Sequence, residues 1–293
     1  MDSRINIDQL SDLHPLKSSL IIVLEWMLIV LSFYVYIWLG SDWILLFLIP
    51  FIATRMYALY SLLHDGLHFL LLKNKKINDL LATVFLATPL FLSLTTMRKN
   101  HFLHHQHLKD ELDPEMAQMS YPEFSFPLKK MDLFVIILKD LTGFNFMKYK
   151  AIRIKRLWTK EKDLVQFFKG VLSFQLFVFI VLVLLFWKLA LLKAFFLLWI
   201  IPYITIYQAL NRFRLYFEHQ NLEGRELKTR SMSFGALLDF FVCPHNLGYH
   251  TEHHLYPKVP FYNLKALRGE LTNKDELVME RNIVKLIEQL YEK

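Results

Sequence analysis

The chain has 293 residues, of which 54% are apolar and 21% charged, and its mean hydropathy is +0.29. Soluble domains usually hold about 45–50% apolar and about 25% charged residues, so this composition favours a membrane protein. The net charge is +7, and the single cysteine, Cys243, excludes an intramolecular disulfide and a cysteine-based zinc or iron–sulfur site. Any metal must be held by other side chains, and the chain has 12 histidines.

Apolar runs predict the membrane part of the chain. Four runs are each about long enough, as helices, to cross a bilayer of roughly 30 Å: residues 20–39, 43–63, 171–187 and 189–210. Very short polar breaks join the runs in pairs, so the pattern predicts two helical hairpins. We therefore predict an all-α integral membrane protein in which residues 1–293 form a single domain with four transmembrane helices.

Residues 80–97 are also about one span long, but they contain Pro89 and several Thr and Ser residues. We interpret them as an interfacial or re-entrant helix pair, broken at Thr88–Pro89. Lys and Arg are frequent in residues 98–169 and almost absent from the opposite side, which places both termini and the central segment in the cytoplasm by the positive-inside rule. The N-terminus lacks the pattern of a cleaved signal peptide. The expected membrane is the bacterial inner membrane or the endoplasmic reticulum.

Three histidine-rich motifs carry the chemistry: HDGLH, HFLHH and HTEHH. Their histidines are His64 and His68, then His101, His104 and His105, and finally His250, His253 and His254. The spacing i, i+4 in HDGLH and the spacings i, i+3 and i+4 in the other two motifs direct the imidazoles of each motif from one helical face. Imidazole binds Fe, Zn, Cu and Ni, and eight of these groups exceed the three or four ligands of a tetrahedral zinc. Two metal ions fit the number better.

One metal centre requires all three motifs on the same side of the membrane, so residues 80–97 should not cross it. Metal-binding histidines also need neighbours that fix their tautomer. The polar residues beside the motifs that could do so are Asp65, Glu218, Glu252 and Asn246.

The three motifs resemble the histidine boxes of the integral-membrane fatty acid desaturase superfamily, and residues 246–264, NLGYHTEHHLYPKVPFYNL, resemble its third box and the segment after it. The resemblance implies an O₂-dependent enzyme with two Fe ions, cycling between Fe²⁺ and Fe³⁺, in a cytosolic helical cap above the membrane helices. It also implies a lipid or acyl-chain substrate and a separate electron donor of ferredoxin or cytochrome b5 type.

A further histidine, His219 in YFEHQN, is similar to an extra ligand of alkane hydroxylases, and it completes a predicted set of nine ligands. His107 lies about 200° around a helix from His105 and should face elsewhere, and we expect His245 to form a hydrogen bond instead of binding metal. His14 lies in the polar leader. No catalytic side chain outside the metal site, no other cofactor and no nucleic-acid partner is expected.

The leading hypothesis is a desaturase that introduces a double bond into a fatty acyl chain. A hydroxylase or ketolase acting on an alkyl, sphingolipid or carotenoid substrate is the alternative, because all of these reactions start by breaking an unactivated C–H bond, which needs metal–oxygen chemistry. A membrane metal transporter is a third hypothesis, and the sequence favours it least. Transport needs ligands along a path through the bilayer, whereas these boxes lie at or beyond the ends of the spans.

Overall fold

A computed structural model describes residues 7–115, 121–158, 189–219, 227–271 and 277–291 of the chain. These residues are mostly helical, with very little strand, which confirms the helical class predicted from the sequence. Within the described residues, three helical stretches are long and apolar enough to cross a membrane: Ile7–Leu39, Asp42–Leu67 and Leu191–Glu218. They cover the predicted spans 20–39 and 43–63 and overlap the predicted span 189–210 from residue 191 onward, whereas the predicted span 171–187 lies outside the described residues. The arrangement in two hairpins stays a prediction.

The first part of the chain contains the helices α1 (Ile7–Leu10), α2 (Pro15–Leu39), α3 (Leu45–Leu67), α4 (Lys75–Ala82) and α5 (Leu94–Gln106). Helix α2 begins with a proline, whose missing N–H costs nothing in a first turn. It ends at Gly40, which adopts the left-handed conformation with φ 60°. A 3₁₀ turn, Asp42–Ile44, leads into α3, and the two long helices pack against each other.

The helical stretch Lys75–Leu90, which begins with α4, and helix α5 are bent by 93° relative to each other. From α4 the chain continues through a π turn, Thr83–Ala87, and a 3₁₀ turn, Thr88–Leu90, and it reverses at Phe91, which has φ 55°. Helix α5 then starts after Ser93, whose Oγ accepts a hydrogen bond from the backbone N–H of Thr96. The predicted break at Thr88–Pro89 lies two residues before this reversal. The bend is compatible with a re-entrant segment, and that residues 80–97 do not cross the membrane stays a prediction.

Cysteine labelling tests this topology. We expect Lys76→Cys and Lys99→Cys, at exposed positions before and after the bend, to react with a membrane-impermeant maleimide from the same, cytoplasmic side. The native Cys243 is only 5% exposed, which keeps the background low. Trp43→Cys, an exposed position at the start of the second span, is the matched control and should react from the opposite side. Labelling of positions 76 and 99 from different sides would contradict the prediction.

The second part of the chain contains the helices α6 (Lys130–Leu141), α7 (Phe144–Trp158), α8 (Leu189–Phe195), α9 (Ile201–Ile204), α10 (Ile206–Glu218), α11 (Ala236–Val242), α12 (His250–Leu255), α13 (Leu264–Glu270) and α14 (Ile283–Glu288). A π turn, Phe196–Ile200, joins α8 to α9. The run α8–α10 extends eight residues past the predicted end at residue 210. Glu218 ends this extension and His219 follows it, and both side chains are fully buried.

Two short strands complete the described fold. Strand β1 (Ser231–Met232) pairs in parallel with β2 (Met279–Glu280), and Ser231 lies opposite Met279. Beyond β2, the buried side chains of Leu286 and Leu290 pack with Leu128 in one apolar cluster. The C-terminal segment is therefore part of the same packed unit as the helices around the site.

Helices α6 and α7 carry a large exposed apolar surface. Its most exposed side chains are Met131, Phe134, Phe144 and Met147, between 57% and 68% exposed, and lysines are interspersed among them. An apolar surface with surrounding lysines is typical of helices in the headgroup plane of a membrane. The sequence predicts such a helix over residues 146–168. The structure describes it as far as residue 158.

A buried ion pair joins the first two membrane helices. Arg55 in α3 is fully buried, and its Nη1 lies 3.1 and 3.2 Å from the two carboxylate oxygens of Glu25 in α2. Its Nη2 donates to the backbone carbonyl of Phe240, and the guanidinium lies 3.6 Å from the centre of that ring. On the other side of Glu25, Nε2 of His245 is 2.8 Å from Oε1. This network holds the segment before the third histidine box against the membrane helices.

Candidate metal centre

Four elements converge to form one histidine cluster. His64 lies in the last turn of α3 and His68 directly after it, while α5 and α12 carry the second and third boxes and His219 directly follows α10. The periodicity of each helix turns its imidazoles towards a common centre. All nine histidines predicted as ligands lie in this cluster: His64, His68, His101, His104, His105, His219, His250, His253 and His254.

The cluster divides into two groups of four imidazoles. One contains His64, His68, His101 and His253, and the other contains His104, His219, His250 and His254. Within each group, one nitrogen from every residue lies within 4.8 Å of the others. Each group therefore combines histidines from different elements and matches the ligand number of one metal ion.

The ninth histidine, His105, lies between the two groups. Its Nε2 is 3.0 Å from Nε2 of both His101 and His253 in the first group. Its ring stacks on His254 of the second group, with the ring centres 4.2 Å apart. The two groups are therefore adjacent parts of one centre.

Hydrogen bonds on the outer side fix two imidazoles with Nε2 directed inward. Nδ1 of His104 is 3.0 and 3.1 Å from the carboxylate oxygens of Asp113, and Nδ1 of His219 is 3.2 Å from the carbonyl oxygen of Lys228. When Nδ1 donates to these acceptors, Nε2 keeps a free lone pair, as a metal ligand requires. Within the described residues, the buried Nε2 atoms of His64, His104 and His254 have no hydrogen-bond partner. This donor set fits two metal ions.

Burial keeps the imidazoles of the third box neutral. Loss of solvent and the neighbouring His64 hold the pKa of His253 well below its usual value, and burial with the neighbouring His105 does the same to the pKa of His254. Burial and His105 lower the pKa of His68 to about 3. Neutral imidazole is the form that binds a metal ion, so these three side chains are in the metal-binding form at neutral pH.

Comparison with known proteins agrees with this geometry. The fatty acid desaturase family model matches residues 41–277, a segment that contains all three boxes and His219. The chain belongs to the fatty acid desaturase family. A dihydrorhizobitoxine desaturase from Bradyrhizobium elkanii is 32% identical over 240 residues, covering 76% of this chain and 66% of that protein. The chain thus spans just under two thirds of the length of this relative.

Among the polar neighbours predicted to orient imidazoles in this desaturase-family centre, Glu218 lies beside a predicted ligand, His250. Its Oε1 is 3.6 Å from Nδ1 of His250, and Nη1 of Arg214 lies 2.6 Å from its Oε2. Glu218 is fully buried, and the arginine supplies the compensating charge. The carboxylate is therefore fixed beside the second group of four histidines.

The other three predicted neighbours, Asp65, Asn246 and Glu252, bind groups around the third box. Asp65 accepts a hydrogen bond from the N–H of Phe261, and Asn246 donates to the carbonyl of the same residue, both over 2.9 Å. Glu252 binds Ser231 and Arg268. These contacts fasten the third box to α3, β1 and α13. The prediction that all three orient ligand imidazoles remains untested.

Asp113 was missed at the sequence level. It follows His104 by nine residues and lies after the end of α5, so helical periodicity does not connect the two. The only feature of the sequence that could have indicated this role of Asp113 is the local sequence DELDP. The Asp113 carboxylate also accepts hydrogen bonds from the backbone N–H groups of Lys109 and Glu115. The loop is thereby folded so that the carboxylate reaches the back of the imidazole.

Gly248 allows the third box to approach β1. A Cβ atom at this position would lie 2.1 Å from the carbonyl oxygen of Met232, which is too close for any side chain. The N–H of Met232 donates to the carbonyl of Gly248 over 2.7 Å, and the N–H of Thr251 donates to Ser231 Oγ over 3.0 Å. The start of α12 is therefore fixed by direct contact with the strand.

The three remaining histidines lie outside the two groups of four. His107 is 30% exposed, and its Nδ1 is 3.3 Å from Asp110. His245 forms the hydrogen bond to Glu25 described above, in agreement with its predicted role. The ring of His14 lies against Tyr262, with ring centres 5.8 Å apart, at the start of α2.

Proposed function

We propose that the chain is an O₂-dependent, di-iron lipid desaturase that introduces a double bond into an acyl chain. The observation that carries this proposal is the pair of adjacent four-histidine groups with His105 between them. Membership of the fatty acid desaturase family supports the reaction type, and so does the desaturase name of the B. elkanii relative. All nine histidines are proposed as ligands.

The side chains of the protein would position the reacting groups and exclude water from the metal centre. Bound iron ions would activate O₂ and remove hydrogen from carbon, which no side chain can do. The buried imidazoles would hold the ions with neutral ligands, and Asp113, Glu218 and the Lys228 carbonyl would keep the rings oriented. The positions of the reacting carbons decide whether a second hydrogen is removed, which gives an alkene, or a hydroxyl group is added.

The membrane helices would supply the substrate from the bilayer, and the boxes would face the cytoplasm. Electrons would come from a separate ferredoxin or cytochrome b5 type of protein, as the family resemblance implies. The lysine-rich exposed surface of α6 and α7 is consistent with a cytoplasmic membrane surface rich in anionic lipids.

Metal analysis combined with lipid mass spectrometry tests the proposal. Protein purified without a histidine tag is expected to contain close to two Fe per chain and to consume O₂ with a reductant and its lipid substrate. Cells that express it should accumulate a lipid two hydrogens lighter than its precursor. Cells that express His101→Ala are the matched control and should lack this product.

Two results would contradict the proposal. Protein with one tightly bound zinc and no O₂ consumption would exclude the di-iron centre. A product that gains an oxygen atom and keeps its hydrogens would identify a hydroxylase instead. Zinc found together with O₂ consumption would be assigned to displacement of Fe²⁺ during expression, because nitrogen ligands bind zinc more tightly.

A further inference from the structure

The two groups of four histidines differ in what lies on their outer side. The carboxylate oxygens of Asp113 are 3.0 and 3.1 Å from Nδ1 of His104 in the second group. Oε2 of Glu115 is 3.8 Å from the same nitrogen, and Oε1 of Glu218 is 3.6 Å from Nδ1 of His250. Two of the four imidazoles of the second group therefore have a carboxylate close to the nitrogen that faces away from the centre.

The first group has no such neighbours within the described part of the chain. There, no carboxylate oxygen lies within 4.0 Å of an imidazole nitrogen of its four members, His64, His68, His101 and His253. Two carboxylates next to the boxes have other partners. Asp65 accepts the N–H of Phe261. Glu252 binds Ser231 and Arg268. The outer carboxylates thus distinguish the second group from the first.

Nearby cations leave the contribution of Asp113 in place. Nη1 of Arg214 binds Oε2 of Glu218 over 2.6 Å and offsets the charge of that carboxylate. Burial and His104, and more weakly Arg214 and Lys109, lower the pKa of His219 in the second group. Asp113 differs from Glu218 in that it forms a direct hydrogen bond to an imidazole of the group.

Asp113 is buried and charged. It is 3% exposed, and burial alone acts to raise its pKa, but hydrogen bonds from His104 and from the N–H groups of Lys109 and Glu115 hold the pKa below its usual value. On the first group the neighbouring charge is of the opposite sign, because Arg98 lies close enough to His68 to contribute, after burial and the neighbouring His105, to its low pKa.

A carboxylate on the outer side of an imidazole strengthens the bond of that imidazole to a metal ion. The ring donates its Nδ1–H to the carboxylate, which makes Nε2 more basic, and the negative charge offsets part of the charge of the ion. Electrostatic effects increase where water is excluded. Three histidines of the second group, His104, His219 and His250, are no more than 2% exposed, whereas two of the first group are half-buried.

His105 acts in the other direction, because it offers the first group a fifth imidazole. Its Nε2 is 3.0 Å from Nε2 of both His101 and His253. A fifth ligand matters for ions that take five or six ligands, but four ligands complete the tetrahedral coordination of zinc. Zinc is therefore the probe that reports the outer carboxylates with the smallest contribution from His105.

We propose that the two metal positions differ in affinity, and that Asp113 is the positioning residue that makes the position of the second group the tighter one. This inference rests on the two-metal centre of the proposed function and specifies the order in which its positions fill. Loss of one outer partner typically costs about 10–100-fold in metal affinity, so the two positions are expected to differ by at least about tenfold for zinc.

Stepwise removal of zinc from the loaded protein tests this inference. The full chain with two Zn²⁺ bound, in phosphatidylcholine nanodiscs, is equilibrated with increasing concentrations of a chromophoric zinc chelator, and the released zinc is read from the absorbance. We expect two steps of one Zn²⁺ each, with dissociation constants at least about tenfold apart. His101→Ala should lack the weaker step and His250→Ala the tighter one, which assigns each step to its group.

Asp113→Asn should weaken the tighter step by about tenfold and leave the weaker step unchanged, so that the two steps approach each other. Asp110→Asn is the matched control. Asp110 lies in the same loop and its carboxylate is 3.3 Å from Nδ1 of a histidine, His107, which is outside the two groups. This variant should release zinc like the unmodified protein. Glu115→Gln, at a side chain that is 23% exposed, is a milder second variant and should weaken the same tighter step by a smaller factor.

Three results would overturn the inference. The first is release of both ions from the unmodified protein in a single step. The second is loss of the tighter step in His101→Ala, which would assign the higher affinity to the first group. The third is an equal effect of Asp113→Asn and Asp110→Asn. If Asp113→Asn does not fold, Glu115→Gln decides, and an unchanged tighter step in that variant overturns the inference.

Failure of this inference is distinguishable from failure of the proposed function, because zinc release does not depend on catalysis. Protein that desaturates a lipid but releases two zinc ions in one step retains the proposed function and loses the difference in affinity. Protein that releases zinc in the two expected steps but consumes no O₂ when loaded with iron retains the inference and loses the proposed reaction.

Discussion

His253→Ala is expected to release iron and to abolish product formation. Nε2 of His253 lies 3.0 Å from Nε2 of His105, and its ring centre is 4.3 Å from that of His64, so it is at the middle of the first group. Loss of a residue that only orients a ligand typically costs about 10–100-fold in metal affinity or activity, and loss of a ligand should cost more. Iron content and product yield are measured on the same purified sample.

Two variants serve as controls for His253→Ala. His107→Ala removes a nearby histidine that lies outside the groups, and it should keep both iron and activity. Asp113→Asn should give an intermediate result, because the amide can still accept a hydrogen bond from Nδ1 of His104 but carries no charge. A His253→Ala protein that retains two Fe per chain and full activity would refute the ligand assignment.

Arg55→Ala is expected to lower the free energy of unfolding by about 3–5 kcal/mol, the usual result of leaving one charge of a buried pair alone. Glu25, only 1% exposed, would keep His245 as its one described partner and lose both hydrogen bonds from the guanidinium. The variant also loses the contact to the carbonyl of Phe240. Reversible unfolding in detergent by chemical denaturant measures the change.

The double variant Glu25→Leu, Arg55→Met is the informative comparison. It removes both charges and should be more stable than Arg55→Ala, because a buried pair replaced by apolar groups leaves no unpaired charge. Lys193→Met is the control for charge removal in general, since the pair of Lys193 with Asp42 is more than half exposed and should matter little. If Arg55→Ala is no less stable than Lys193→Met, the ion pair has no role in stability.

The sequence predicted those features that depend on local spacing. The i, i+3, i+4 pattern of His101, His104 and His105 identifies a helical face, and three such faces with one chemistry must meet if they bind the same metals. The continuous apolar runs likewise predicted α2 and α3 with errors of a few residues at their ends. In both cases the pattern that carries the prediction lies within a single helix.

Contacts between distant segments were not predictable in this way. Glu25 and Arg55 are each an isolated charge within an apolar run of the sequence, and only the packing of α2 on α3 shows that they form a pair. Similarly, residues 279–280 belong to an amphipathic pattern that predicts a helix from residue 275 onward, yet they pair with β1, and α14 begins only at Ile283. Two strands that lie some fifty residues apart in the chain leave no periodic pattern in a single sequence that would reveal their pairing.

The β1–β2 pairing has a consequence for the order in which the centre is assembled. Strand β1 positions the third histidine box through Gly248, yet β2 is synthesised after all nine histidines. The chain is synthesised at about 5–20 residues per second, so the first two boxes are made before β2 can pair with β1 and fix the third box. We therefore expect metal to be acquired after synthesis, when the cell's supply of free Fe²⁺ and Zn²⁺, and not affinity alone, decides which ion enters first.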